Sequence, residues 1–547
     1  MKRILAGFSI LLIALQAQDA VNPPMLRAML AELERSKQIR LMGLAPYYIE
    51  YDVEDQESTS IQASLGGIVN ARQSINRVPI VGVRVGSPEM DQTNQIFAGI
   101  YSGSRYDSDS LPLDDNLDLI RQNLWLATDR TYKSAVESMS AKQQILKGTN
   151  VTDPQPDFWK SDAVVNITNS TRNKIDLEAW KSRTAQISKV FLDFPEVLAS
   201  SAEFDALSSM SHHVNSEGTK IRMPDYLTTM RIRATGQAED GTVLRDAGGF
   251  MSYEDAKMAP VAEMEKSARA IAENVKALVK APIGESYTGP VLFEPQAAAQ
   301  LFGQLLGDNV RNPRRPLSDP GRNVPFQPSE FDGKLSSRIL PDSFDVIDDP
   351  TLTSYEGHTL MGNYYIDTES VRPKPVQLIE KGALKAFLRT RQPMKGFTES
   401  TGHARLAGSF GHKSATIGNL FIKSRDTKPF SELKNQFVEL LKQRNKPYGI
   451  LVRKMDYPSS GSVGDLQALF ASHQQSGSTT RPLAPLVLVY KVYAADGREE
   501  LIRNVRLKNV SARTLRDILG ASSEVAKFDF VNNNAPFALM GLSLIHI

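Results

Sequence analysis

The sequence predicts an α+β fold, with a mixed α/β N-terminal domain that carries long helices and a largely antiparallel β C-terminal domain. Two observations lead to this fold class. Apolar residues at helical spacing form the longest stretches before residue 283, whereas strand-like stretches dominate after it. The dipeptides Asp240-Gly241 and Asp496-Gly497 mark tight hairpins in both halves. A chain of 547 residues is long enough to bury more than one hydrophobic core.

The first twenty residues have the pattern of a secretory signal. Two basic residues precede an apolar run over residues 4–15, and residues 15–17 fit a signal-peptidase site. The run is shorter than the roughly 20 residues that a membrane span needs. We therefore expect a signal peptide over residues 1–17, cut after Ala17 or less favourably Ala20, with an uncleaved anchor as the alternative. The mature chain is then exported, periplasmic or secreted, and has no membrane span.

Charge and cysteine content exclude several classes of function. Removing residues 1–17 takes Lys2 and Arg3 from the 64 basic residues and none of the 62 acidic ones, so the formal charge falls from +2 to 0. A neutral surface gives no basis for binding nucleic acid through phosphates. The absence of cysteine excludes disulfides, thiolate metal ligands and cysteine nucleophiles.

The elements of the N-terminal domain, residues 18–282, follow from periodicity and turn residues. Asn22 before two prolines is expected to cap the first helix. Helices are predicted over 22–38, 115–147, 177–189 and 254–280, strands over 47–53, 61–69 and 78–85, and a strand meander over 201–243. Pro282 ends the last helix, so we place the domain boundary near residue 283.

The C-terminal domain, residues 283–541, is predicted to be rich in strands. Strands are predicted over 290–293, 344–347, 362–367, 375–379, 383–388, 448–452, 486–493 and 500–507, and helices over about 295–304 and 431–444. Residues 307–334 and 459–485 are polar and are expected to be loops. The last residues, 542–547, look like a non-native tail, which would leave a sheet edge unpaired.

The segment over residues 289–304 is where we expect a functional group to be mounted. An apolar strand runs directly into an Ala-rich helix, and the acidic residue Glu294 stands at the corner. The N-terminus of a helix presents unpaired N–H groups and positive potential. Glu294 is therefore either a candidate catalytic residue or an acidic residue that complements the helix dipole.

This corner, together with the segments over 367–391 and 400–405, resembles the TldD/PmbA family of metallopeptidases. The resemblance implies a His-Glu-x-x-x-His motif at the corner in metal-binding members, and a cysteine ligand further along the chain. On this sequence the motif positions fall on Phe293, Glu294 and Ala298, so both imidazoles are missing. The chain thus looks like a PmbA/TldE-type member, for which the resemblance implies no metal cofactor.

The resemblance also implies partners and a set of binding residues. Family members pair two related subunits around a central chamber, so we expect a homodimer or a heterodimer with a TldD-like paralogue, and unfolded peptide as the ligand. The positions that match the family pattern and are expected to shape the peptide-binding chamber are Asp367, Glu369, Glu380, Gly382, Gly402 and His403.

The seven histidines leave one alternative metal site open. None has a His-x-x-x-His spacing, and the adjacent His212 and His213 would point to opposite sides of a strand. His403 and His412 flank a Gly-rich turn and could join Glu294 to hold zinc.

Three hypotheses about function follow. The first is a non-catalytic, peptide-binding or partner subunit, and the second is an active metallopeptidase with an atypical zinc site around Glu294, His403 and His412. A structural envelope protein without a ligand is the third.

Overall fold

The computed structural model describes residues 23–96, 110–149, 154–319, 321, 326, 328–406, 411–458, 460, 482–532 and 543–546. The expected signal peptide and most of the loop predicted over 459–485 lie outside these residues. Helices combine with mostly antiparallel sheets, which confirms the α+β fold class. Within the described ranges, every helix is too short or too polar to cross a membrane.

The N-terminal part is built on one large sheet. Its strands are β1 (Pro46–Ser64), β2 (Gly67–Val85), β3 (Val165–Ile167), β4 (Ala199–Asn215), β5 (Lys220–Gln237) and β6 (Val243–Ser252), and its helices are α1 (Pro24–Ser36), α2 (Leu117–Gly148), α3 (Leu177–Lys189) and α4 (Val261–Lys280). The strand order is β2-β1-β4-β5-β3, with β6 also paired to β5. All neighbouring strands are antiparallel except β3 and β5.

The helices cover one face of this sheet in two separate hydrophobic clusters. In the first, α1 and α2 pack on residues such as Tyr51 and Val53 of β1. In the second, α3 and α4 pack on Ile61 and Phe204, and the indole of Trp180 stacks on the Phe204 ring at 3.9 Å. The sheet is therefore buried on this face by two groups of helices with a gap between them.

The C-terminal part contains two four-stranded sheets. Its strands are β7 (Val291–Phe293), β8 (Phe344–Asp348), β9 (Ser354–Tyr355), β10 (His358–Thr359), β11 (Val376–Glu380), β12 (Ala383–Leu384), β13 (Ala404–Leu406), β14 (Ser414–Ala415), β15 (Leu420–Ser424), β16 (Tyr448–Met455), β17 (Leu486–Tyr493), β18 (Glu499–Ile502), β19 (Asp529–Asn532) and β20 (Ser543–His546), and its helices are α5 (Pro295–Gly307) and α6 (Phe430–Gln443). One sheet has the order β12-β11-β8-β15 and the other β18-β17-β16-β7.

Several predicted elements differ from the observed ones. The strands predicted over 47–53, 61–69 and 78–85 are one long hairpin, whose turn at Leu65 and Gly66 falls inside the second prediction. The strand predicted over 362–367 is wrong, because this segment consists of bends and irregular backbone after a turn at residue 362. Helix α4 begins only after Pro260, and α1 has Pro23 rather than Asn22 at its N-cap position.

The C-terminal residues also differ from the expected arrangement. Residues 543–546, within the expected tail, pair with β19 as β20. The non-native origin of that tail and the domain boundary near residue 283 stay predictions.

Candidate functional site

The predicted strand–helix corner is present and is anchored in the second C-terminal sheet. Strand β7 pairs in parallel with β16, where Phe293 lies opposite Val452. The Glu294 N–H extends this ladder by donating to the Val452 carbonyl at 2.9 Å, and α5 begins at the next residue. The Glu294 carboxylate accepts no capping hydrogen bond from its own helix. It is therefore available to groups on neighbouring strands.

The side chain of Arg453 binds the Glu294 carboxylate. Nε of Arg453, on β16, donates to Oε1 of Glu294 at 2.7 Å. The same guanidinium donates through Nη2 to Glu499 at 2.8 Å and lies 4.2 Å from the centre of the Tyr490 ring. Glu499 also pairs with Lys434 of α6. Glu294 thus forms the end of a chain of alternating charges that links β7, β16, β18 and α6.

The two positions at which the resemblance implies histidine cannot hold a metal. Phe293 is partly buried and packs against the hydrophobic cluster that includes Ile450 and Val452. Ala298 lies in the first turn of α5, where its N–H donates to the Glu294 carbonyl at 2.8 Å. Neither side chain carries a donor atom, and zinc requires nitrogen, sulfur or oxygen ligands. These residues do not fit a catalytic zinc ion.

The alternative zinc site around Glu294, His403 and His412 gains no support from the geometry. Among the described residues, no group of three histidine, aspartate or glutamate side chains is close enough to hold a metal ion. His403 is fully buried, and its Nε2 lies 2.9 Å from Oδ2 of Asp348 on β8. Its Nδ1 lies 2.9 Å from Thr401. Because Asp348 also accepts the Gly418 N–H at 3.0 Å, this imidazole is held inside the C-terminal domain.

Four of the six predicted chamber residues lie in one cluster of loops. Asp367 is buried and accepts three backbone N–H groups, those of Glu369, Val371 and Ala404, at 2.8–3.0 Å. The last of these bonds ties the turn at Asp367 to the Gly402–His403 loop, and Tyr364 adds a hydrogen bond to the Gly402 carbonyl at 2.7 Å. Asp367 therefore holds the turn over residues 367–371 against the Gly402–His403 loop.

Glu369 links the same cluster to the N-terminal part of the chain. Burial, reinforced by the charge of Asp367, raises the pKa of Glu369 to about 7. Its carboxylate accepts the Arg391 N–H at 2.5 Å, and the Arg391 guanidinium, fully buried, pairs with Glu217 of the N-terminal part at 2.6 Å. The carboxyl of Glu369 thus titrates near neutral pH inside an interface between the two halves.

The other two predicted chamber residues lie elsewhere. Glu380 is exposed at the end of β11, where it faces Lys385 at 3.4 Å. Gly382 follows in the turn with a φ of +74°, and a Cβ there would lie 2.3 Å from the Leu340 carbonyl oxygen. The assignment of these six residues to a peptide chamber stays a prediction.

A further cluster across the same interface was missed at the sequence level. Asp52 on β1 contacts Nδ1 of His213 on β4, and Nε2 of this imidazole contacts Oγ of Ser370 in the C-terminal part. Lys413 lies 3.7 Å from Asp52. The pairing of β1 with β4 places Asp52 opposite His213. Ser370 joins this pair through a contact with His213, which lies 157 residues earlier in the chain. Sequence spacing gives no signal for either contact.

The Asp52–His213–Ser370 arrangement has the connectivity of a serine-hydrolase triad but the opposite exposure. Ser370 is 1% exposed, whereas the Asp52 side chain is 17% exposed. A nucleophilic serine must be the member that substrate reaches. The arrangement therefore joins the two halves of the chain. As predicted, His212 points away from His213, towards Arg222 and the helix-covered side of the sheet.

Comparisons with known proteins point to one family of metallopeptidase-like proteins. A family model described as the PmbA/TldA metallopeptidase C-terminal domain matches residues 286–473, a segment that contains every predicted site residue. A protein of Methanothermobacter thermautotrophicus named metalloprotease is 26% identical over 216 residues, which cover 39% of this chain and 43% of that protein. A protein of Archaeoglobus fulgidus, also named metalloprotease, is 34% identical over 76 residues, which cover 14% of this chain and 16% of that protein. The chain thus matches less than half the length of these curated relatives.

Solved structures are similar over nearly the whole chain. TldE from Thermococcus kodakarensis superposes with a TM-score of 0.55 at 14% identity, covering 95% of this chain and 97% of that one. A Thermotoga maritima protein named for a proposed role in modulating a DNA gyrase gives a TM-score of 0.55 at 12% identity, covering 91% and 96%. At such identities the similarity establishes the fold alone.

Proposed function

Because the chain is a member of the TldD/PmbA family of metallopeptidase-like proteins, we propose that it works as a non-catalytic subunit that binds unfolded peptide. In this proposal the chain is exported after removal of residues 1–17 and acts without a metal cofactor. It pairs with a TldD-like paralogue that carries the metal site, or with a second copy of itself.

The observation that carries the proposal is the pairing of Glu294 with Arg453. A carboxylate that activates water must offer a lone pair to the proton that it abstracts. Here the guanidinium donates to Glu294 at 2.7 Å, and the flanking motif positions are a benzyl ring and a methyl group. The corner therefore keeps the acidic residue of the family motif but gives it a partner that competes with both metal and water.

Peptide binding is supported by the architecture of the C-terminal sheets. Among the described residues, strand β15 (Leu420–Ser424) ends its sheet and pairs with β8 alone. The free side of an edge strand presents backbone N–H and C=O groups to which an extended peptide can add. Binding of this kind requires no side chain that reacts with the peptide.

Two measurements on purified chain test the proposal. An unfolded reporter peptide should be retained by the chain but not cleaved, and cleavage should appear only when a TldD-like paralogue with an intact His-Glu-x-x-x-His motif is added. Chelator-sensitive cleavage by the chain alone, lost in Glu294→Gln, would establish the metallopeptidase hypothesis instead. A chain that stays monomeric in native pull-downs and retains no peptide would support the structural envelope role.

A further inference from the structure

A cavity of about 340 Å³ opens on the helix-covered face of the N-terminal sheet. It lies where the two hydrophobic clusters leave a gap. Along β1 the helix-facing positions change from Val53, in the first cluster, to Asp55 and Glu57 before apolar packing resumes at Ile61, in the second. Charged residues on the buried face of a sheet are costly unless they serve a purpose. This change in the strand pattern indicates a built site.

The walls of the cavity contain buried polar groups without partners. Arg77 is 6% exposed, and His212 is 5% exposed. Arg77 pairs with Asp55 at 3.2 Å and with Asp115 at 3.1 Å, yet its Nε has no hydrogen-bond partner among the residues that the structure describes. Nδ1 of His212 also lacks one. Because buried polar groups in proteins are nearly always satisfied, these atoms indicate that a polar ligand completes the site.

The charges around the cavity are only partly neutralised. Within the part of the chain that the structure describes, the Arg222 guanidinium donates to the carbonyl oxygens of Thr168 and Ser170 and to no carboxylate. Lys174 and Glu57 form no ion pair within the described residues. Helix α1 begins at Pro24, at the cavity wall, and has no acidic residue in its first turn to complement the positive end of its dipole. The cavity thus offers unpaired cationic groups and one unpaired carboxylate.

The imidazole of His212 adds an acceptor to this set. Burial, followed by the charge of Arg222, lowers its pKa to about 4, so the ring is neutral at pH 7. Since Nδ1 accepts no hydrogen bond from the described residues, its lone pair can accept from an N–H group of a ligand.

We infer that this cavity binds a small zwitterion of amino-acid or dipeptide size. Its carboxylate lies against Arg222, Lys174 and the N-terminus of α1, and its ammonium group against Glu57 and His212. The cavity volume lies within the range of small-molecule sites. The site shares no residue with the Glu294 corner and is independent of whether that corner is catalytic.

Titration calorimetry with L-alanyl-L-alanine tests the inference on the full mature chain. The free dipeptide should bind, whereas its C-terminal amide and its N-acetyl form should bind at least about tenfold more weakly, because each blocks one charge. Arg222→Gln and Glu57→Gln should weaken binding of the free dipeptide by a similar factor. Arg231→Gln is the matched control, because Arg231 lies on the same strand but pairs with Asp205 at the surface.

A second variant tests the inference if Arg222→Gln does not fold. Lys174 is exposed, so replacing it should not disturb folding. Lys174→Ala should also weaken the dipeptide measurably while leaving the thermal midpoint unchanged. Failure of the wild-type chain to bind the dipeptide would overturn the inference. So would binding of inorganic phosphate alone, or equal affinities of wild type, Lys174→Ala and Glu57→Gln.

Discussion

Oε1 of Glu294 lies 2.7 Å from Nε of Arg453, across the parallel pair of strands β7 and β16. The register that places Val452 opposite Phe293 also brings the next residue of each strand together. The acidic residue of the corner is therefore bound by its neighbour in the sheet. Under the proposed function, this pairing explains why the glutamate is present although the flanking motif positions carry no metal ligand.

Replacing Arg453 tests whether this pairing is structural. Arg453→Ala leaves both Glu294 and Glu499 without their partner, and we expect a loss of about 1 kcal/mol in the free energy of unfolding, because the groups are only partly buried. Arg425→Ala, which breaks a more exposed pair with Asp345, should cost less in the same denaturant titration. Peptide cleavage gained by Arg453→Ala would mean that the arginine merely masks an active site.

His403 should prove to be a structural residue. Its ring and the Asp348 carboxylate are both fully buried, so His403→Ala leaves a buried acceptor without its donor and should cost about 3 kcal/mol of unfolding free energy. His358→Ala, at an exposed position on β10, is the control and should have little effect. Unchanged stability of His403→Ala, with loss of peptide binding, would instead assign His403 to the chamber.

The contact of His213 with Asp52 predicts a pH dependence of stability. Burial lowers the pKa of His213, but the charge of Asp52 and its hydrogen bond outweigh this and raise the pKa above 6.5. Protonation therefore stabilises the folded chain below pH 6.5, and this contribution disappears as the pH rises through the folded-state pKa. Burial raises the pKa of the Asp52 carboxyl, but the charges of His213 and Lys413 outweigh burial and lower this pKa below its ordinary value.

Chemical denaturation of wild type and His213→Ala between pH 5.5 and 9 measures this linkage. The difference in unfolding free energy between the two proteins should be largest at the acidic end and shrink as the pH rises. The control is His358→Ala, at an exposed position on β10, which should change the unfolding free energy little. A difference that grows with pH would contradict the assignment.

Two glycines with the same backbone conformation should respond differently to alanine. Gly402 has a φ of +73°, and a Cβ there would lie 2.5 Å from the Arg372 carbonyl oxygen, whereas Gly497 has a φ of +72° and open space around it. Gly497→Ala should cost about 1 kcal/mol from backbone strain alone, and Gly402→Ala about 3 kcal/mol or more, because overlap adds to strain. Equal shifts in thermal midpoint for the two variants would show that the Gly402 loop can move to make room for the added methyl group.

Elements that depend on local periodicity could be predicted from the sequence. Helix α3 occupies residues 177–189, as its apolar spacing and the Asp176 N-cap dictate. The corner at Glu294 was found because an apolar strand and Pro295 at the first helical position define it locally. The hairpin turn at Leu65 and Gly66 was missed because a leucine with positive φ is unusual in a tight turn.

Contacts between distant segments could not be predicted in the same way. Arg453 lies 159 residues from Glu294, and its role follows only from the pairing of β7 with β16. The segment over 362–367 was predicted to be a strand, but its backbone bonds to separate loops: the Gly362 N–H donates to Asn419 Oδ1 and the Tyr364 N–H to the Pro350 carbonyl. These partners are distant in the sequence, so local residue preferences do not reveal them.

The metal content of the purified chain tests the central claim most directly. Protein prepared with excess zinc and then exhaustively dialysed should be measured by mass spectrometry of the metal, beside a TldD-like paralogue with an intact His-Glu-x-x-x-His motif as positive control. We expect no stoichiometric zinc in this chain, because Phe293 and Ala298 supply no ligand and Arg453 occupies Glu294. One tightly held zinc ion per chain would contradict the account.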